Sequence, residues 1–206
     1  VKAVLEEKYL GDIITSDGNH TENIKKRRSK CLGLTVDLVN LLIILCLGKH
    51  YFKVAMILRQ AMLFSVMLTN AETWLRLSSK DMERLESVDR MFLRKILSTS
   101  SKTPKPALYL ELGAVPIRYI IKAKRILFLH YILKCNSSEM IYKFLLAQID
   151  KPAKNDWILQ IKEDLKLFEL DYLSFANIKL MKKEEFRALL KIKCKQVTFT
   201  SLMSEK

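Results

Sequence analysis

KYLGDIITSDGNHTENIKKRRSK, residues 8–30, changes its periodicity halfway along. Tyr9, Leu10, Ile13 and Ile14, grouped around Gly11, read as a β-strand, and Ser16-Asp17-Gly18-Asn19 reads as the turn that ends it. From Thr21, placed as an N-cap, the apolar residues Ile24, Cys31, Leu34 and Leu38 fall on one side of a helix. A lone strand cannot satisfy its own ladder hydrogen bonds, so this one is expected to need a partner from elsewhere.

Beyond that switch nearly every apolar run keeps helical spacing. A second helix is expected from near Lys49 through YFKVAMILRQAMLFSVML, apolar on most faces and therefore central. A third, capped by Ser78 or Ser79, carries Met82, Leu85, Val88, Phe92 and Ile96 as a stripe, with Glu86 and Arg90 paired on the other face. Thr103-Pro104-Lys105-Pro106 is the expected linker, because proline suits a helix start and not its interior. After it come ALYLEL ended by Gly113, a long helix from Pro116 to about Lys134, one from Ser138 to about Gln148, one capped by Asn155 or Asp156, and a last one with Phe186, Leu189 and Leu190. With only five glycines and four prolines, the fold class is all-α: a multi-helix bundle, a second helical region and a short β-strand remnant at the front. The divisions are 1–18, 19–102 and 103–206.

Half of the 206 residues are hydrophobic, enough for a sizeable core. Uncharged runs such as Leu38 to Gly48 are far short of the ~20 residues of a membrane span, so an intracellular chain with no membrane partner is expected. The sequence opens on Val1, which is read as the start of a piece of something longer. Cys31, Cys46, Cys135 and Cys194 are too scattered for a zinc half-site and sit in apolar helical runs, as core residues of a reducing compartment do. Metal-dependent polymerases and nucleases need clustered carboxylates on a tight turn; the acidic pairs Glu6-Glu7, Glu163-Asp164 and Glu184-Glu185 read as solvated surface. No catalytic residue and no metal ligand is assigned.

The formal charge of +14 points to a partner rich in phosphate. Lys25, Lys26, Arg27, Arg28 and Lys30 crowd the first turns of their helix, where the macrodipole disfavours cations, so helix stability did not place them there. Arg118, Lys122 and Arg125 recur at i, i+4 and i+7, and Arg187, Lys191 and Lys195 at i, i+4 and i+8. These stripes mark candidate nucleic-acid contacts. Of the aromatic residues Tyr9, Tyr51, Phe52, Trp74, Tyr109, Tyr119 and Trp157, most are expected in the core.

KYLGDIITSDGNHTENIKKRRSK, GKHYFKVAMILRQAML, LTNAETW, MFLRKIL and LYLELGAVPIRYIIKAKRILFLHYIL, in this order and spacing, resemble the carboxy-terminal side of a non-LTR (LINE-type) retrotransposon reverse transcriptase. The resemblance is strongest from Lys8 to about Lys134. It implies that Tyr9, Leu10 and Gly11 belong to a primer-grip hairpin closing the palm, and that the helices after it form a thumb holding an RNA–DNA or DNA duplex. On that basis Lys25, Lys26, Arg27, Arg28 and Lys30 would meet phosphates, and the helix with Arg118, Lys122 and Arg125 would begin a helical linker. The family's aspartate-pair motif and first metal-binding aspartate would lie upstream of Lys8. Its Mg²⁺, palm and fingers are thus implied for the parent polypeptide, and this chain alone is expected to be inactive. A nuclear location follows from the family's work on chromosomal DNA. A free-standing helical nucleic-acid-binding protein and a helical interaction scaffold are the alternatives.

Overall fold

The computed structural model describes residues 6–9, 12–15, 20–74, 77–153 and 156–204. Strands β1 (Glu6–Tyr9) and β2 (Asp12–Thr15) pair antiparallel, with Tyr9 opposite Asp12 and Glu6 opposite Thr15. The single strand expected across Tyr9–Ile14 is therefore replaced by two arms of a hairpin, and the ladder partner comes from the residues immediately upstream. Leu10, Gly11, the turn expected at Ser16–Asn19, and Asn155 lie outside the described residues.

The rest is helical: α1 (Thr21–Ile44), α2 (Tyr51–Leu58), α3 (Phe64–Met67), α4 (Ser79–Leu97), α5 (Lys105–Glu111), α6 (Ile117–Lys134), α7 (Met140–Asp150), α8 (Trp157–Leu167), α9 (Phe175–Leu180) and α10 (Lys183–Ser204). The chain forms two compact units: residues 1–69 with 77–117, and residues 70–76 with 118–206. Pro104 stands at the N-cap of α5 inside the first unit, and the division falls at Ile117.

In the first unit α1 packs along α4, burying Ile24, Cys31, Thr35, Leu38 and Leu42. Thr21 is not the N-cap. His20 holds that position, and the Thr21 hydroxyl donates instead to Asp81 Oδ2 at 2.8 Å. The Ser78 hydroxyl caps α4 by accepting from the Asp81 amide at 3.1 Å, as its position before the stripe implies. The stripe residues Leu85, Val88, Phe92 and Ile96 are buried, and so are Asp89 beside the stripe and Glu86 and Arg90 beyond it, all nearly inaccessible. The central helix is thus α4. The α2–α3 run, expected to be central, leaves Phe52, Ile57, Met62 and Val66 exposed.

Between α2 and α3 a π-helical turn, Arg59–Leu63, puts Arg59 into the core. Its guanidinium grips Asp89 bidentately, Nε to Oδ1 at 2.6 Å and Nη2 to Oδ2 at 2.7 Å, and also donates to the Val115 carbonyl at 3.0 Å. The Tyr109 hydroxyl completes the site on Asp89 Oδ2 at 3.2 Å; burial, and then the Asp89 and Glu86 charges, push its pKa far up. Each buried charge has its counter-charge, which is the condition for keeping it out of water.

Asp81 ties α1 to α4. Burial pushes its pKa up, but hydrogen bonds from Ser78, Thr21 and Arg84 and the Arg84 charge outweigh this, leaving it below the ordinary carboxylate value. A depressed carboxylate contributes stability that is complete above its unfolded pKa of about 4 and is lost as pH falls through the folded value. Urea midpoints of the wild type and Asp81→Asn, compared across pH, should therefore differ most near neutrality and converge below about pH 4. A gap independent of pH would remove this role from Asp81.

In the second unit α6 and α8 are joined through Asp164, and Ile121, Ile126, Leu129, Ile158, Ile161, Leu165, Phe168, Ile178, Phe186 and Leu190 are buried in its core. Residues 70–74 belong to this unit because their carbonyls are taken: Trp74 O accepts from Arg125 Nη1 at 3.2 Å and Glu72 O from Trp157 Nε1 at 3.0 Å. Of the cysteines, Cys31 and Cys194 are core residues whose thiols burial pushes up to about 11, while Cys46 is exposed.

Candidate nucleic-acid interface

The hairpin leads into the basic turns of α1, and the structure gives the five cations different surroundings. Lys25 is exposed and pairs with Glu22 one turn earlier. Arg27 is half-buried and donates Nη1 to the Thr69 carbonyl at 2.6 Å and to the Met67 carbonyl at 3.4 Å, closing the C-terminal end of α3, where a cation is favoured. Lys26, Arg28 and Lys30 are exposed and meet no carboxylate among the described residues.

At 100° per residue, Lys26 and Lys30 share the side of α1 facing away from Ile24, Cys31 and Leu38, whereas Arg28 falls above the Ile24 and Val39 side and is exposed only because it stands near the start of the helix. Gly33 falls on the same outward side, one turn beyond Lys30. A glycine inside a helix costs about 0.5–1 kcal/mol relative to alanine, yet a Cβ at Gly33 would meet nothing within 4 Å. The chain's own packing gives no reason for it.

Several acidic residues of this unit are committed elsewhere, while Asp37 is exposed on the outward side of α1, about two turns beyond Lys30. Asp89 and Glu86 are buried against Arg59 and Arg90, and Asp81 against Arg84. Arg90 also bonds Glu83. The positive charge is therefore left on the outside.

The stripe on α6 has a different fate. Arg125 is buried, donating Nε to Asp164 Oδ2 at 2.8 Å, and Lys122 reaches Asp164 Oδ1 at 2.7 Å. These two are corrected from candidate phosphate contacts to the counter-charges of a fully buried carboxylate, and Asp164 is corrected from solvated surface. Arg118 is half-buried and engaged within the protein. On α10, by contrast, Arg187, Lys191 and Lys195 are all exposed and without a carboxylate partner among the described residues. Trp74, Tyr109 and Tyr119 lie in the core as expected, and Phe52 does not.

The sequence reading missed Arg59, Asp81 and Asp89 and took Asp164 for surface; the partners lie at least 30 positions away in Arg59–Asp89 and Arg125–Asp164. Glu86–Arg90, four apart, was visible.

Among the described residues no cluster of three or more His, Cys, Asp or Glu could hold a metal ion, and no helix is long and apolar enough to cross a membrane. No family model, no curated protein and no solved structure matches the chain.

Proposed function

We propose that the chain is the thumb and adjoining helical region of a retrotransposon-type reverse transcriptase, and that it grips a template–primer duplex by its phosphates. The observation that carries this is the start of α1: Lys26, Arg28 and Lys30 are exposed without carboxylate partners among the described residues, and Lys26 and Lys30 share the outward side with a helical glycine. Cations on a helix surface release counterions when they meet phosphates and read no base edges. A glycine among them lets a backbone approach closely.

The resemblance over residues 8–134 supplies the enzyme class, and on that reading the hairpin preceding α1 would be its primer grip. Nucleotidyl transfer itself belongs to the carboxylates of the parent palm. The isolated chain is thus expected to bind a 20-base-pair RNA–DNA hybrid with similar affinity whatever its sequence, measured by fluorescence anisotropy, and to incorporate no nucleotide on a primed template. Strong sequence preference, or template-directed incorporation, contradicts the proposal.

Gly33 gives a separate check. Gly33→Ala should raise the thermal midpoint by the equivalent of about 0.5–1 kcal/mol, since helix propensity favours alanine and nothing obstructs it. Gly33→Leu should weaken hybrid binding without unfolding the chain. Hybrid affinity unchanged by leucine would mean that no backbone approaches α1 there.

A further inference from the structure

The second unit contains a groove of about 550 Å³ between α6, the start of α10 and the 3₁₀ turn at Ala71–Thr73. That volume lies in the range of sites that take small organic groups. Lys124, Tyr131 and Lys134 line it from α6, Lys183 and Arg187 from α10, and Glu72 from the turn.

Its charge is one-sided. Lys124 Nζ lies 3.5 Å from Glu72 Oε2, which accounts for the carboxylate. Lys134, Lys183 and Arg187 are exposed and have no carboxylate partner among the described residues. Lys183 and Arg187 stand one turn apart on α10, ~6 Å along its axis, comparable to the spacing of neighbouring phosphates in an extended strand.

Its wall is aromatic. Tyr131, in the last turn of α6, is 59% exposed, and its ring lies near-parallel to that of Phe128, 11° apart with centroids at 6.0 Å. Phe128 in turn packs edge-on against Trp157 at 5.8 Å. The two walls are fixed to one another: His130 Nε2 meets the Met181 carbonyl at 3.1 Å and its ring stacks on Phe186 at 5.0 Å.

We infer that this groove binds unpaired nucleotides of a single-stranded nucleic acid, Tyr131 stacking on a base while Lys134, Lys183 and Arg187 hold the flanking phosphates. An exposed, pre-oriented aromatic ring beside a row of cations is the arrangement that single-strand binding uses. An acidic peptide would satisfy the cations and leave the ring without a role. The inference goes beyond the duplex grip of α1 and stands on different residues.

The test uses the full chain with two fluorescein-labelled probes, a ten-nucleotide oligo(dT) and a blunt-ended 20-base-pair duplex. Tyr131→Ala should weaken oligo(dT) binding about tenfold, the scale of removing one stacked base, with Tyr131→Phe restoring it and duplex affinity unchanged. Lys183→Glu with Arg187→Glu should weaken oligo(dT) further and lower its salt dependence. Oligo(dT) binding that survives alanine replacement of Lys26, Arg28 and Lys30, while duplex binding falls, supports the groove independently of the thumb reading. The inference is overturned if the wild type does not bind oligo(dT), if both groove variants bind it as the wild type does, or if a ten-residue polyglutamate displaces it as well as unlabelled oligo(dT).

Discussion

Asp164→Ala is expected to destabilise the second unit by about 3–5 kcal/mol, the scale of removing one partner from a buried ion pair. Asp164 is fully inaccessible and receives both Lys122 and Arg125. Without it, Arg125 is left buried with, among the described residues, only the Trp74 carbonyl to accept from its guanidinium. Lys122 fares better, because its side chain is 29% exposed and can swing its ammonium into water. For a unit of roughly one hundred residues, each kcal/mol shifts the midpoint by about 4–8 °C, so the calorimetric midpoint should fall by on the order of 15 °C or more. Adding Arg125→Leu should recover part of the stability, since an apolar side chain then replaces an unpaired buried charge. A midpoint for Asp164→Ala within about 2 °C of wild type would mean that Asp164 does not hold α8 against α6.

The second large effect is expected on binding. Replacing Lys26, Arg28 and Lys30 together by alanine should cost on the order of a hundredfold in duplex affinity near 0.1 M salt, because each phosphate that is no longer neutralised keeps about 0.9 of a counterion bound. Stability should hardly change, as all three side chains are exposed and have no partner among the described residues. Replacing Arg27 should do the reverse. Its guanidinium closes the end of α3 through the Thr69 and Met67 carbonyls, so Arg27→Ala should lower stability by about 1 kcal/mol and affect affinity less than any of its exposed neighbours.

The helices were legible where two signals agreed. Ser78 and the stripe Leu85, Val88, Phe92 and Ile96 define α4 from sequence, because an N-cap and a 3.6-residue period are both local. The short α9 escaped notice for want of a period, although Ser174 caps it by accepting from Asn177 N at 3.1 Å. Which helix is central was not legible. An apolar run such as α2–α3 looks buried all round, yet Phe52 and Ile57 face outward. The polar side of α4 looks solvated until Arg59 and Tyr109 arrive on Asp89. The hairpin reads as one strand because the charged residues Glu6 and Glu7 disguise its first arm.

The basic stripes show the same division. Composition and placement indicate that cations matter on this chain, and they single out α1, α6 and α10. Only tertiary contacts sort them. On α6 the i, i+3 pair Lys122 and Arg125 meets a carboxylate 42 and 39 residues later, whereas on α1 and α10 no such partner arrives for Lys26, Arg28, Lys30, Arg187, Lys191 or Lys195 among the described residues. A buried carboxylate must be neutralised, and it draws in whatever cations share its helix face.

The most direct measurement is the salt dependence of duplex binding. The dissociation constant for a 20-base-pair RNA–DNA hybrid is followed from about 50 to 300 mM KCl, the range over which phosphate binding responds most steeply, for the wild type and for the Lys26, Arg28 and Lys30 triple-alanine variant. The slope of log K against log salt should be smaller in magnitude in the variant by about 2–3, at ~0.9 for each phosphate left without its cation. Equal slopes, with equal affinities, would contradict the assignment of α1 as the duplex-gripping face.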